Sequence, residues 1–583
     1  MERRTLLKAG GAAASLIGAG SIFETLEPSG AVAARRTDRA WYRMRSNLTP
    51  LDAPLQTESN DLTPYTGPWS DELLHHLLRR SMFGVPPAQF AEAKSLGTMS
   101  AVLDRLLAAA DLGSVPLPPD PAAWVWDLTP PSPKDPNYQV EATNFNRLHG
   151  NRINQIANWW FDLIVKEDLS LREKLTLLWT NHFVTGSLTV QLAPYMYSYL
   201  QTCRQYALGN FKTFAHAIAI NPAMLVYLNG DQNFVENGTP HINENFAREL
   251  MELFTLGILD PKTAQPNYTE TDVQNAARAL AGWKEGKTAP YTGVLWDGTN
   301  GNPDRRDTGV KTFLGQTGNW GLQDVLNIIF EQGTPQGYNA AYFVCQKLYQ
   351  AFVYYVPNPS VIDTMATVML ANNFEIAPVM RALLSSAHFY DVNTIGAQLK
   401  SPAEFFGSLV RELALSYPAF NAADPPVTGT DTQGYNTYGD PNPTLSVITS
   451  IMSGQGQQLL NPPNVKGWPG GHNWISTGTF QNREIYSLGI VNNALVNAKK
   501  NWNLAFDADR YASQIANAQS LPSAALSQSL EAASLAFTLG PNEGGDLDID
   551  IQGTYPNPNY QYNTLGAKNF AVLMTNLPEF QLY

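Results

Sequence analysis

Cysteine is nearly absent from this 583-residue chain, which holds only Cys203 and Cys345. A thiolate zinc site or a cysteine-ligated iron–sulfur cluster needs more thiols than that. Positive charge is also scarce. The 38 Lys and Arg residues face 51 Asp and Glu, a net charge of −13. Such a balance lacks the basic surface that displaces counterions from nucleic acid, and so counts against a nucleic-acid partner. No apolar run reaches the ~18–20 residues of a transmembrane span. The chain also lacks a G-x-S-x-G nucleophile elbow, a Walker phosphate loop, an H-E-x-x-H zinc helix and a C-x-x-C-H haem attachment site. These absences remove the common hydrolase, nucleotide-binding and haem routes. Hydrophobic residues are abundant, at 44% against 15% charged, enough to build a large core.

The N-terminus carries Arg3-Arg4-x-Leu6-Leu7-Lys8, then a Gly/Ala-rich apolar stretch to about Ile22 and the small-residue run Ala31-Val32-Ala33-Ala34. A basic start, a weakly apolar middle and an A-x-A end predict a signal peptide over 1–33, of the twin-arginine type. The expected location is periplasmic or extracellular. That compartment permits a Cys203–Cys345 disulfide. Both residues sit among apolar neighbours in predicted helices, so two buried free thiols are the equal alternative.

Residues 34–68 read as an extended lead-in punctuated by prolines. From 69 to the end, helical periodicity dominates. The expected fold is mainly α: a single large helical domain with little strand. Long Pro/Gly/Asp-rich insertions are expected near 112–141, 284–320, 418–443 and 540–563. A short hairpin is expected around Tyr291–Trp296. Thr269-Glu-Thr-Asp272 predicts a capping box, and Gly209 and Gly257 predict left-handed helix ends.

The densest motif is Thr239-Pro-His241-Ile-Asn243-Glu244-Asn245-Phe-Ala-Arg248-Glu249-Leu-Met-Glu252, running on to Gly257. Asn243 reads as the N-cap of a helix over 244–256. At α-helical spacing Asn245, Glu249 and Glu252 share a face, and Glu244–Arg248 is an i, i+4 pair beside them. Two carboxylates with a nearby His suit a hard divalent metal, the cofactor this pattern would take. Glu249, Glu252, His241 and Asp307 are its candidate ligands. The same carboxylates, with His182 on the neighbouring Leu171–Phe183 helix, are the candidate catalytic groups. Asn243, Glu244, Asn245 and Arg248 are candidate binding residues. The bland alternatives are ion pairs that lock helices together, and for His182 a core histidine bonded to a helix-end carbonyl. Asn154, Asn158 and Asp162 form a polar row on an otherwise apolar helix. Trp468 and Trp474 are candidate sugar-stacking aromatics, with a packed wedge as the alternative for Trp468.

Several long, colinear stretches resemble the bacterial domain of unknown function 1800 family. They are Leu77–Gly84, Arg172–Phe183, Arg204–Phe211, Asn221–Leu225, Asn243–Gly257, Tyr268–Val273, Ala279–Trp283, Lys311–Gly315, Leu399–Phe405 and Asn461–Gly471. The resemblance implies an exported protein of unassigned activity whose genes commonly sit beside those for an exported sulfatase-like partner. Where relatives tend to read His-Asp-x-Gly-x-Lys, this chain has Arg306-Asp307-Thr-Gly309-Val-Lys311. A metal role for that histidine would therefore be lost here. Two functions are expected on these grounds. The first is a non-enzymatic, partner-binding or assembly protein. The second is a metal- or cofactor-dependent enzyme with its site between the His182 helix and the Asn243–Glu252 helix.

Overall fold

In the computed structural model, residues 54–108, 130–288, 291–299, 301–413, 415–491 and 504 are described. The expected export signal at 1–33, the first part of the lead-in, most of the 112–141 insertion and the 540–563 insertion lie outside those residues.

The lead-in from residue 54 is extended and tied down. Ala387 N–H donates to Thr63 O at 2.7 Å, and Tyr65 N–H to Ser385 O at 2.9 Å. Ser70 then opens α1 (Asp71–Ser81) by accepting from Leu73 N–H at 3.3 Å. The helices α2 (Pro87–Ser95), α3 (Met99–Leu107), α4 (Tyr138–Lys166), α5 (Arg172–His182), α6 (Ser187–Val190), α7 (Ala193–Gln205), α8 (Phe211–Ala219) and α9 (Pro222–Tyr227) follow. A hairpin of β1 (Phe234–Glu236) and β2 (Thr239–His241) leads into α10 (Asn245–Glu249) and a π-helical segment, Leu250–Thr255. Next come α11 (Glu270–Ala279), β3 (Trp283–Lys284), β4 (Val294–Leu295), β5 (Lys311–Phe313) and β6 (Gln316–Gly318). The chain continues with α12 (Leu322–Ile329), α13 (Pro335–Phe352), α14 (Pro359–Ala371), α15 (Ile376–Leu384) and α16 (Pro402–Glu412). It ends its described course with β7 (Val427–Thr430), β8 (Asn436–Tyr438), α17 (Pro443–Gly454) and α18 (Thr477–Val491). The strands pair only as antiparallel hairpins, β1 with β2, β3 with β4, β5 with β6 and β7 with β8.

The protein is mainly α, as its periodicity predicts. The Pro/Gly-rich stretches at 284–320 and 418–443 carry the strands β3–β8 beyond the first hairpin, because turn residues there bring short extended runs back on themselves. The hairpin expected around Tyr291–Trp296 pairs Val294 and Leu295 with Lys284 and Trp283. Thr269 and Asp272 form the predicted capping box, with Asp272 N–H to Thr269 Oγ1 at 3.2 Å and Thr269 N–H to Asp272 Oδ2 at 2.8 Å. Gly257 is left-handed at φ +73°. Gly209 is not: α7 stops earlier, at Gln205, and Tyr206 N–H closes on Thr202 O at 3.2 Å.

Buried apolar side chains from α1 through α18 form one cluster, and it encloses an unusual amount of charge. Glu173 on α5 accepts from Trp160 Nε1 at 3.0 Å and from Arg204 Nε at 2.9 Å, with Arg204 2% and Glu173 4% exposed. Lys174 bonds Glu404 across α5 and α16. Arg411 donates to the carbonyls of Ile164, Val165 and Glu167 at 2.9–3.0 Å, which closes the C-terminal end of α4. The polar row on α4 divides: Asn154 is exposed, Asn158 Nδ2 donates to Ser446 Oγ of α17 at 2.6 Å and accepts at Oδ1 from Thr449 Oγ1 at 2.8 Å, and Asp162 accepts from Tyr417 Oη at 2.9 Å. Cys203 and Cys345 are free, buried thiols. Burial pushes both up from the usual thiol range.

Candidate functional site

The helix expected over 244–256 changes character half-way. Leu256 N–H passes over the usual acceptor to reach Met251 O, five residues back, at 2.9 Å, and Gly257 N–H takes the same carbonyl at 3.0 Å. Thr255 Oγ1 donates to Leu250 O at 2.6 Å. A π-helical turn carries an extra residue, so side chains beyond Glu249 are rotated away from the face that a 3.6-residue period assigns them. Such turns are rare and recur at functional sites.

His182, at the end of α5, meets this turn. Its Nε2 lies 3.0 Å from Phe254 O. A carbonyl only accepts, so Nε2 carries the proton. Phe183, Trp179, Phe211, Phe343 and Phe254 surround the ring at centroid distances of 4.5–6.2 Å. Burial, and secondarily the positive charge of Lys347, depress its pKa to about 3, against a smaller opposing effect of the Phe254 bond. His182 is thus a neutral strut between two helices, and the carbonyl it bonds belongs to the neighbouring helix.

Asn181 fastens a third segment to the same place. Its Oδ1 accepts from Trp468 N–H at 2.6 Å, and its Nδ2 donates to Trp468 O at 3.3 Å. The close approach depends on Gly467, at φ +84°, where a Cβ would lie 2.2 Å from Asn181 Oδ1. Trp468 and Trp474 are buried, 4% and 8% exposed. Neither is available to stack on a sugar, and Trp468 is the packed wedge in its Pro/Gly loop.

The pinned loop brings Lys466 towards Glu249. Burial, then the like charge of Glu252, raises the Glu249 carboxyl above its ordinary value, and Lys466 and Arg248 oppose that rise. Tyr227, half-buried, is raised by burial and then by Glu249. Tyr268 donates to Glu252 at 3.5 Å, and burial followed by the Glu252 charge pushes the phenol up to about 12. Glu249, Glu252, Tyr227, Tyr268 and Lys466 therefore form one polar surface. It can exchange a proton at Glu249 or present a carboxylate pair to a cationic group.

The chain belongs to the DUF1800 family. The family model, described as a protein of unknown function (DUF1800), matches residues 76–582. No curated protein and no solved structure matches the chain. Membership in DUF1800 thus establishes kinship without an activity. No helix among the described residues is long and apolar enough to cross a membrane.

The proposed metal set is not assembled. His241 sits exposed on β2 with its ring against Phe234, centroids 5.0 Å apart. Asp307 is bound by Arg278 at 2.7 and 3.2 Å, and Lys311 lies 3.6 Å away. Lys311 Nζ also donates to Gly309 O at 2.8 Å, so the Asp307-x-Gly309-x-Lys311 stretch is a turn that satisfies itself. Among the described residues no three His, Cys, Asp or Glu side chains come together at metal-binding spacing. The donor set does not fit a divalent metal. Asn243 was expected as the N-cap, but the helix starts at Asn245 with Glu244 in that position, and Asn243, two residues before it, accepts through Oδ1 from Asn245 N–H at 3.0 Å. Asn245 Nδ2 donates to Leu228 O at 3.3 Å. Arg248 pairs with Glu270 at 2.5 Å and Glu244 at 3.2 Å, which raises the guanidinium pKa. These binding candidates mostly bond one another. Sequence reasoning passed over Lys466, Tyr227 and Tyr268. Lys466 and Tyr268 lie in stretches that carry the family resemblance, and that was their available signal.

Proposed function

We propose that this DUF1800 protein is an exported binding and assembly protein, carried out of the cytoplasm by the twin-arginine route and acting without a resident metal. In this reading the chain from 69 onward is one helical domain decorated by surface insertions. Its recognition face is the acidic surface around Glu249 and Glu252 together with the adjoining loop 257–267. The observation that carries the reading is the pair Ile258 and Leu259. They stand 54% and 53% exposed directly beyond the π-helical turn, whereas the charged groups nearby are largely committed to internal pairs. The resemblance suggests an exported sulfatase-like protein as the partner.

The test places a photo-crosslinking side chain at Leu259 in the producing cell and identifies the adduct by mass spectrometry. One specific adduct, lost in Ile258→Asp, supports the reading; random adducts that survive Ile258→Asp refute it. Export is tested separately by Arg3→Lys/Arg4→Lys, which should leave the full-length precursor in the cytoplasm.

A second reading, an enzyme that uses Glu249 as a proton donor or acceptor, is favoured by the raised Glu249 carboxyl beside Lys466 and Tyr227. Under that reading Glu249→Gln removes activity and keeps the Leu259 adduct. Under the first, no activity depends on Glu249.

A further inference from the structure

Where loop 257–267 meets the first turns of α13, the surface encloses a polar cavity of about 140 Å³. One water needs roughly 10–15 Å³ measured the same way, so the cavity has room for a small organic ring. Asp260, Thr263, Gln265, Asn267, Gln336 and Asn339 supply its polar lining. Pro266 and Pro335 stiffen two of its walls.

The floor is held rigidly. Asn339, 5% exposed, donates through Nδ2 to Asp260 Oδ2 at 3.0 Å and to Asn267 Oδ1 at 2.8 Å. Asn267 Nδ2 donates in turn to Leu256 O at 2.9 Å and Gly257 O at 3.0 Å. Asp260 Oδ1 accepts from the N–H groups of Lys262 and Thr263, both at 2.8 Å. Every donor in this chain of bonds is spent. One group is not: Asn339 Oδ1 is buried and has no partner among the described residues. That atom is shut off from the cavity, so a ligand there meets the other polar groups of the wall.

The lining selects among ligands. An anion would meet the Asp260 carboxylate with no cation in the wall. A bare metal ion is disfavoured because the Asn339 amide hydrogens already occupy the space between Asp260 and Asn267. An apolar ligand would strand the amides. A hydroxyl both donates and accepts, and so do the amide side chains of Gln265 and Gln336 that flank the floor. We propose that this cavity is a binding site for a polyhydroxylated ligand of the size of one sugar ring, with the side-chain amides of Gln265 and Gln336 bonding its hydroxyls. The cavity shares loop 257–267 with the recognition face proposed above but is lined by neither Glu249 nor Glu252, and ligand binding to the isolated chain does not depend on the partner-binding reading.

The test is ligand-observed saturation-transfer NMR on the full chain with D-glucose, D-galactose, N-acetyl-D-glucosamine and the acyclic polyol D-mannitol. An affinity on the order of millimolar is expected for so few atoms. Gln336→Trp fills the cavity from a half-exposed wall position, and Asn339→Leu removes the amide that ties Asp260 to Asn267 in the floor. Saturation transfer to at least one pyranose, reduced fivefold or more in a Gln336→Trp variant whose melting temperature is unchanged, is the expected result. Should Asn339→Leu fail to fold, Gln336→Trp alone decides. No transfer to any of the four probes overturns the proposal, as does transfer that survives a folded Gln336→Trp.

Discussion

His182 makes a prediction whose size follows from its surroundings. It holds Phe254 O with its single proton, and its other ring nitrogen, Nδ1, is buried without a partner among the described residues. A second proton there would have no acceptor and would lie near Lys347. The native ring therefore resists protonation down to about pH 3, whereas in the unfolded chain it takes a proton near its ordinary value of 6.5. The sign follows. Below pH 6.5 the unfolded state binds a proton that the native state does not, so stability falls as pH falls. Between pH 7.5 and pH 5 this one group should remove about 2 kcal/mol, and about 4 kcal/mol by pH 3. Other buried histidines, His75 and His76 among them, are depressed too, so the wild-type profile alone cannot isolate His182. The comparison is with His182→Phe, which fills similar space and does not titrate. At pH 7.5 the variant should be less stable by about 1–3 kcal/mol, because Phe254 O loses its donor. By pH 5 that deficit should shrink by about 2 kcal/mol. Urea unfolding of both proteins at half-unit pH steps measures it. Parallel curves across the range would show that His182 titrates in the native state, and the account of the aromatic cage would be wrong.

Gly467→Ala forces a Cβ to within 2.2 Å of Asn181 Oδ1 at φ +84°, so a loss of at least about 1–3 kcal/mol is expected by chemical denaturation, and an unchanged midpoint would refute the pinning of the loop. Cys203 and Cys345 should stay unreactive towards Ellman's reagent in the native protein and titrate fully in denaturant, while rapid native labelling or a disulfide in the intact mass would contradict their burial. Glu249 is raised in the fold, so its ionisation costs stability as pH rises above its unfolded value; Glu249→Gln should stabilise at pH 8 by no more than about 1 kcal/mol and have no effect at pH 4, and a loss at pH 8 would count against repulsion from Glu252. Arg204→Met should cost about 3–5 kcal/mol by leaving Glu173 charged and unpaired beside Glu167, with Arg204→Met/Glu173→Gln recovering most of it; equal losses in the two variants would refute the pairing.

The helices were legible because their signals are local. Ser70, Thr269 and Ser401 are capping side chains whose bonds span three residues, and all three open helices as such residues do. The π-helical turn was not legible, since its period change involves no Gly or Pro inside Leu250–Thr255 and rests on tertiary contacts, such as His182 with Phe254 O. The metal set failed for a related reason. Sequence proximity placed His241 next to Glu249, but the β1–β2 hairpin turns His241 against Phe234, and Asp307 answers to Arg278 on α11, an interaction across 29 residues that spacing cannot reveal.

The motifs that carry the family resemblance divide into two uses. Leu77–Gly84, Arg172–Phe183 and Leu399–Phe405 converge on buried charge: Lys174 meets Glu404, Arg80 Nη2 reaches Thr394 O, and Lys400 Nζ reaches Ser408 Oγ at 3.1 Å. Burial lowers the pKa of Lys400 well below its ordinary value and raises that of Glu412. The cavity lined by Arg79, Lys174, Lys400 and Glu404 is about 10 Å³, room for roughly one water and for no substrate. Replacing such buried pairs with apolar residues is often neutral or stabilising, so these bonds serve to fix one arrangement of α1, α5 and α16 rather than to add stability. The Asn243–Gly257, Tyr268–Val273 and Asn461–Gly471 motifs instead come to the surface, at Glu249, Tyr268 and Lys466. A search for activity or partners therefore belongs on that second group. Substitutions in the first group should act through folding, apart from Asn181, which holds the Lys466 loop in place.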